Sequence, residues 1–148
     1  MLPVARYFGI MLAANLVWEV LQLPLYSLWR VATPGTIAFA VLHCTAGDVL
    51  IAAGALGGSW LVTGRPPLRC LLPARTMLVV VAGGLLYTGF SEWWSTQVTQ
   101  AWTYAAAMPL LPGIGIGVAP MLQWLLLPSL ALWYAFGRPG AGAAAASR

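Results

Sequence analysis

The chain has 148 residues, 61% of them hydrophobic and only 7% charged, with seven arginines, no lysine, three acids and a formal net charge of +4. A soluble domain of this size presents a surface of which roughly a quarter to a third is charged, so this composition excludes a soluble enzyme or binding domain. The thinly spread positive charge also lacks the basic patch that nucleic-acid binding requires. What remains is an all-α integral membrane protein with no length for a second domain.

Four stretches reach the roughly 20 apolar residues that cross a hydrocarbon core of about 30 Å, and they predict a four-transmembrane-helix bundle over residues 1–137. The first span is predicted at 7–28. Within it Asn15, Glu19 and Gln22 fall at i, i+4 and i+7 and project from one stripe. Trp18 borders that stripe, and Pro24, which lacks an N–H, is expected to kink the helix. This run is too long for a signal-peptide core, carries Glu19 and lacks a small-residue cleavage site, so no cleavable leader is expected.

The second span is predicted at 37–62 and carries His43 and Asp48. On a helix these two are about 140° apart around the axis and about 7.5 Å apart along it, too far to be an adjacent pair but able to border one cavity. Gly47, Gly54 and Gly58 offer a small-residue face for close helix packing. Cys44 reads as a packing thiol or a soft ligand beside His43, and Cys70 lies at a different depth, so no disulfide is expected. The following connection combines Pro66, Pro67 and Pro73 with Arg65, Arg69 and Arg75, a stiff basic loop suited to anionic headgroups.

The third span, predicted at 76–96, repeats the first pattern with Thr88, Glu92 and Ser95 at i, i+4 and i+7. The connection after it is long, uncharged and rich in aromatic and apolar residues, including Trp102 and Tyr104, and is expected to lie at the interface or fold back over the bundle. The fourth span, 118–136, contributes Gln123 and Trp124, and the Gly/Ala-rich stretch 138–148 reads as a flexible tail. Arg6, Arg65, Arg69, Arg75, Arg138 and Arg148 flank one side of the predicted spans and only Arg30 the other. The positive-inside bias therefore places both termini in the cytoplasm, for a multi-pass protein of the cell inner (plasma) membrane.

All three acids and the only histidine lie inside the spans. Ionisable groups there are expensive and mark ion pathways, proton relays or ligand sites. Depth counting at about 1.5 Å per residue gathers them in the extracytoplasmic half. With no lysine or arginine inside the spans, the carboxyls must be protonated, hydrated or balanced by a cation. Glu19, Glu92, His43 and Asp48 are the catalytic candidates, and Asn15, Trp18, Gln22, Ser95, Tyr104, Gln123 and Trp124 the ligand-binding shell.

The same Glu19, His43, Asp48 and Glu92 form a candidate oxygen and imidazole ligand set for a divalent metal such as zinc or iron. Three function classes follow. The first is a membrane-embedded enzyme, or a metal- or lipid-binding protein, acting on a lipophilic ligand; in outline it is similar to sterol-isomerase-type bundles of few helices with buried acids. The second is a proton- or cation-coupled small transporter working as an oligomer. The third is an accessory subunit that binds a pigment or quinone in a larger membrane complex. Membrane lipids and a lipophilic small molecule or cation are the expected partners.

Overall fold

A computed structural model describes residues 2–64 and 74–137. The basic 65–73 stretch with Cys70 and the predicted tail 138–148 lie outside the described residues. Five α-helices follow one another: α1 Leu2–Gln22, the short α2 Leu28–Val31, α3 Pro34–Thr63, α4 Ala74–Trp93 and α5 Val118–Phe136. There are no strands among the described residues, and four helical stretches, Pro3–Leu25, Pro34–Thr63, Ala74–Val98 and Val118–Phe136, are long and apolar enough to cross a membrane.

Local chemistry sets the ends. The kink expected at Pro24 is not formed, because α1 stops at Gln22 and Pro24 sits in a one-turn 3-10 segment, Leu23–Leu25. α3 starts where the Thr33 hydroxyl accepts the N–H of Thr36 at 3.2 Å, with Pro34 in the first turn. It stops where Gly64 adopts φ +66 and donates its N–H to the Trp60 carbonyl, a left-handed C-cap natural to glycine. α4 runs into a wide turn, Trp94–Val98, which Gln100 at φ +51 then reverses. Pro128 lies inside α5 and removes one backbone donor, and Ser129 Oγ meanwhile donates to the Leu125 carbonyl at 2.7 Å.

The long helices form a ring in which α1 packs on α3 and α5, and α4 packs on α3 and α5. Each turns one stripe inwards: Tyr7, Met11, Asn15, Glu19 and Gln22 from α1; Val41, Thr45, Asp48, Ala52, Leu56 and Ser59 from α3; Thr76, Val80, Gly84, Thr88 and Glu92 from α4. These three- and four-residue steps are the spacing of one helix face. Because consecutive helices alternate in direction, the stripes sort by chemistry. At one end Tyr7, Met11, Ala52, Leu56, Val80, Ala131, Leu132, Ala135 and Phe136 pack as an apolar core. At the other, Asn15, Glu19, Gln22, Thr45, Asp48, Glu92 and Gln123 are buried. Residues 2 and 137 belong to the apolar end.

Large apolar side chains also cover the outside, among them Val31 at 80%, Leu61 at 86% and Leu86 at 75% exposure. Soluble monomers rarely expose contiguous apolar surface beyond a few hundred Å², so this exterior matches lipid as solvent.

Candidate functional site in the polar end of the bundle

Gln123 is the hub. Its Nε2 donates to Asn15 Oδ1 at 2.8 Å, to Asp48 Oδ2 at 2.8 Å and to Glu19 Oε1 at 3.2 Å, joining α5 to α1 and α3. Gln22 Nε2 donates to Glu19 Oε1 at 2.8 Å, and Trp18 Nε1 donates to Gln22 Oε1 at 3.1 Å, so a chain of donors fixes one face of the Glu19 carboxyl. The Glu19 and Asp48 carboxyls also neighbour each other, and Trp124 flanks Asp48. Asn15 Nδ2 turns back to the Met11 carbonyl at 2.7 Å, leaving its oxygen for the cluster.

Trp124 reaches Asp48 because α4 has no side chain where the indole passes. A Cβ built on Gly84 would stand 1.9 Å from Trp124 Cε3. The indole therefore lies against the backbone of α4, 1% exposed, at the boundary between the polar cluster and the apolar core.

Glu92 belongs to a second group. Tyr104 Oη donates to its Oε2 at 2.5 Å and Tyr26 Oη to its Oε1 at 3.3 Å. The two rings lie 5.5 Å apart at an interplanar angle of 50°. Around them the two connections at this end join: Ser27 N donates to the Thr103 carbonyl at 3.0 Å, the Ser27 and Thr103 hydroxyls are 2.6 Å apart, and Ala105 N donates to the Leu25 carbonyl at 2.9 Å. Residues 99–117 thus fold back over the bundle and are latched to α4 through Glu92. Trp102 Nε1 is buried beside Glu92 without closing a hydrogen bond. Gly117 gives Tyr104 its seat, since a Cβ there would stand 3.0 Å from the ring.

Burial, then the nearby Glu92 charge, pushes the Tyr26 phenol well above its ordinary range; burial, then the hydrogen bond to Glu92, does the same for Tyr104. Both remain protonated donors. In the unfolded chain both would ionise around 10.0, so the latch is intact below that pH and its stability falls as pH climbs beyond it. Melts in detergent between pH 8 and pH 11 are expected to stay level and then drop, with a shallower drop in the Tyr26→Phe, Tyr104→Phe double variant. An equal drop in the double variant would show that the latch tyrosines carry none of it.

The structure brings Asn15, Glu19, Gln22, Asp48, Gln123 and Trp124 into one cluster, with Trp18 at its fringe. It places Glu92 and Tyr104 in the adjoining latch. Ser95 is buried one turn beyond Glu92, where its carbonyl accepts the Ala101 N–H at 2.9 Å. His43 is elsewhere: it is exposed on the outside of α3 and stacks on Phe39 at a ring separation of 5.5 Å. Its position five residues from Asp48 carries it off the inward stripe. The metal centre expected from Glu19, His43, Asp48 and Glu92 is accordingly not assembled, and no group of three or more His, Cys, Asp or Glu side chains fit to hold a metal occurs among the described residues. His43→Ala is expected to leave the melting transition within about 0.5 kcal/mol of the parent protein, as for surface changes generally, and a larger loss would place the imidazole in the core.

Tyr26 and Thr45 are part of this end of the bundle although the sequence reading passes over them. Tyr26 lies seven residues beyond Glu19 and Thr45 three before Asp48, both helix-face spacings. Among the described residues the chain is a helical bundle, with four helices long and apolar enough to cross a membrane and a buried polar cluster at one end. No protein family, characterised protein or solved structure matches it.

Proposed function

We propose that this protein lies in the cell inner membrane with both termini in the cytoplasm, and that its polar end receives the head of a lipophilic ligand from the outer leaflet or the outside. The observation that carries this reading is the Gln123 hub, which holds two carboxyls from different helices together at one end while the other end is packed with apolar side chains. Two adjacent carboxyls in a low-dielectric bundle, with no cation beside them among the described residues, hold a proton between them rather than two full charges. Such a pair contains an acid and a base at once and suits proton exchange with a bound molecule. Glu19 and Asp48 are the exchanging groups, Gln22, Gln123 and Trp124 orient them, and Glu92 with Tyr26 and Tyr104 closes the connections above them.

A membrane-embedded enzyme, or a lipid-binding protein, acting on a lipophilic ligand fits this arrangement best. A proton-coupled transporter is the second reading, favoured by the acids standing on three separate helices. Alternate access of the polar cluster to the two sides would separate it from the first. The accessory-subunit reading gains no observation of its own, since His43 faces outwards.

The test uses cells whose only copy carries Glu19→Gln or Asp48→Asn, with the lipid extract compared by mass spectrometry. Both variants are expected to accumulate as folded protein, to change the profile of a lipophilic species and to fall at least a hundredfold in activity towards it. If both preserve the profile and any growth phenotype of the parent, the reading fails.

A further inference from the structure

The polar cluster is oversupplied with acceptors. An amide nitrogen carries two hydrogens, yet Gln123 Nε2 faces three oxygens, on Asn15, Glu19 and Asp48. A carboxylate offers about four acceptor positions, and the neighbouring amides fill only some of those on Glu19 and Asp48. The described arginines, Arg6, Arg30 and Arg75, are all exposed, so none supplies the missing donors.

An independent feature points the same way. Thr45 is only 3% exposed, and its Oγ1 has no hydrogen-bond partner. In helices a threonine hydroxyl ordinarily bonds a carbonyl one turn back, but this one does not, although it lies on the inward stripe one turn from Asp48. An unpaired buried hydroxyl is destabilising. Cys44, the residue before Thr45, is half-buried.

The geometry points to the protonated amino group of a lipophilic amine as the ligand head, received between Glu19 and Asp48 with the Thr45 hydroxyl as an additional partner and Glu92 as the next acid, in the adjoining latch. A primary ammonium brings one positive charge and three N–H donors, matching the surplus of acceptors. Its hydrogen bonds of about 2.8 Å tolerate acids spread over three helices, whereas a divalent metal needs several ligands at about 2.0–2.2 Å, and no such set is gathered among the described residues. The Tyr26 and Tyr104 rings beside Glu92 add faces suited to a cation. An apolar tail would lie along the exposed hydrophobic flanks of the helices. This inference rests on the ligand-head reading above and names its chemical class.

The test takes the full chain in phosphatidylcholine nanodiscs with n-dodecylamine as probe, and n-dodecanol, dodecyltrimethylammonium and sodium chloride as comparisons. Dodecylamine is expected to raise the melting temperature saturably, with little response to the other three. Asp48→Asn should weaken its apparent affinity at least tenfold. Thr45→Val, nearly isosteric, should weaken it three- to tenfold while leaving the melt of the unliganded protein no lower than the parent's, which keeps the test decisive if Asp48→Asn folds poorly. Equal responses to dodecanol, to the trimethylammonium compound or to sodium, or undiminished affinity in Thr45→Val, would overturn the inference. Failure of amine binding while Glu19→Gln and Asp48→Asn still abolish function removes only the ligand class. Amine binding with both variants fully functional removes the proton-exchange reading instead.

Discussion

Gln123→Leu is expected to destabilise the bundle by about 2–4 kcal/mol, more than any other single polar change in it. One amide serves oxygens from Asn15, Glu19 and Asp48, so leucine strips donors from two helices at once. Orphaning a buried acceptor costs about 1–3 kcal/mol in water-soluble proteins. Within membranes measured couplings average about 0.6 and reach about 1.7 kcal/mol, because the unfolded helices also find partners. The amide's two hydrogens, shared among three acceptors and taken towards the upper end of these couplings, give the stated range. The apolar gain from leucine offsets little, since the vacated neighbours are carboxyls rather than methyls. Denaturation of the reconstituted protein by a graded harsh detergent measures the effect. Trp18→Phe, which loses only the fringe bond to Gln22, is the internal comparison and should cost about 1 kcal/mol or less. A Gln123→Leu midpoint equal to that of Trp18→Phe would show that the amide does not hold the helices together.

Gly84→Ala is the second change expected to have a large effect, and its sign runs against helix propensity. In a helix interior alanine is favoured over glycine by about 1 kcal/mol. Here the added Cβ meets Trp124 Cε3 at 1.9 Å, Cζ3 at 2.6 Å and Cδ2 at 2.8 Å. The indole is a rigid plane, 1% exposed and enclosed by the apolar core, so it must leave its place or part α4 from α5. Overpacking of this kind costs about 1–3 kcal/mol, enough to outweigh the propensity gain, and it also draws Trp124 away from Asp48. A lower melting temperature and a red-shifted tryptophan emission are expected. Trp124→Leu in the same chain makes room for the methyl, so the double variant should be more stable than the sum of the singles by about 1–3 kcal/mol. Strict additivity would mean that the indole and the α4 backbone are not in contact.

Both changes act at positions that a reading of one chain reaches only halfway. The stripe of Asn15, Glu19 and Gln22 and that of Thr88, Glu92 and Ser95 are legible because a helix returns to the same face every three or four residues, and both stripes are buried. The first stretch ends at Leu25 and the second runs from Pro34 to Thr63, because Pro24, Pro34 and Gly64 set local boundaries that hydropathy does not see. His43 shows the limit of periodicity. A histidine and an aspartate five apart were compatible with one cavity, and only the packing of α3 against α1 and α4 decides that Thr45 faces inwards and His43 outwards.

Composition alone pointed to a bundle of helices apolar enough to cross a membrane, because a span without charge or water must satisfy its backbone within the helix. Sequence spacing alone determined which face of α1 and of α4 is polar. The tertiary structure decided which polar faces meet, that Glu19 and Asp48 share one amide while Glu92 is held apart by two tyrosines, and that a missing side chain at Gly84 admits Trp124. Pairing between helices depends on distances across the ring, and these arise from side-chain volumes on neighbouring elements, a property no single stripe contains.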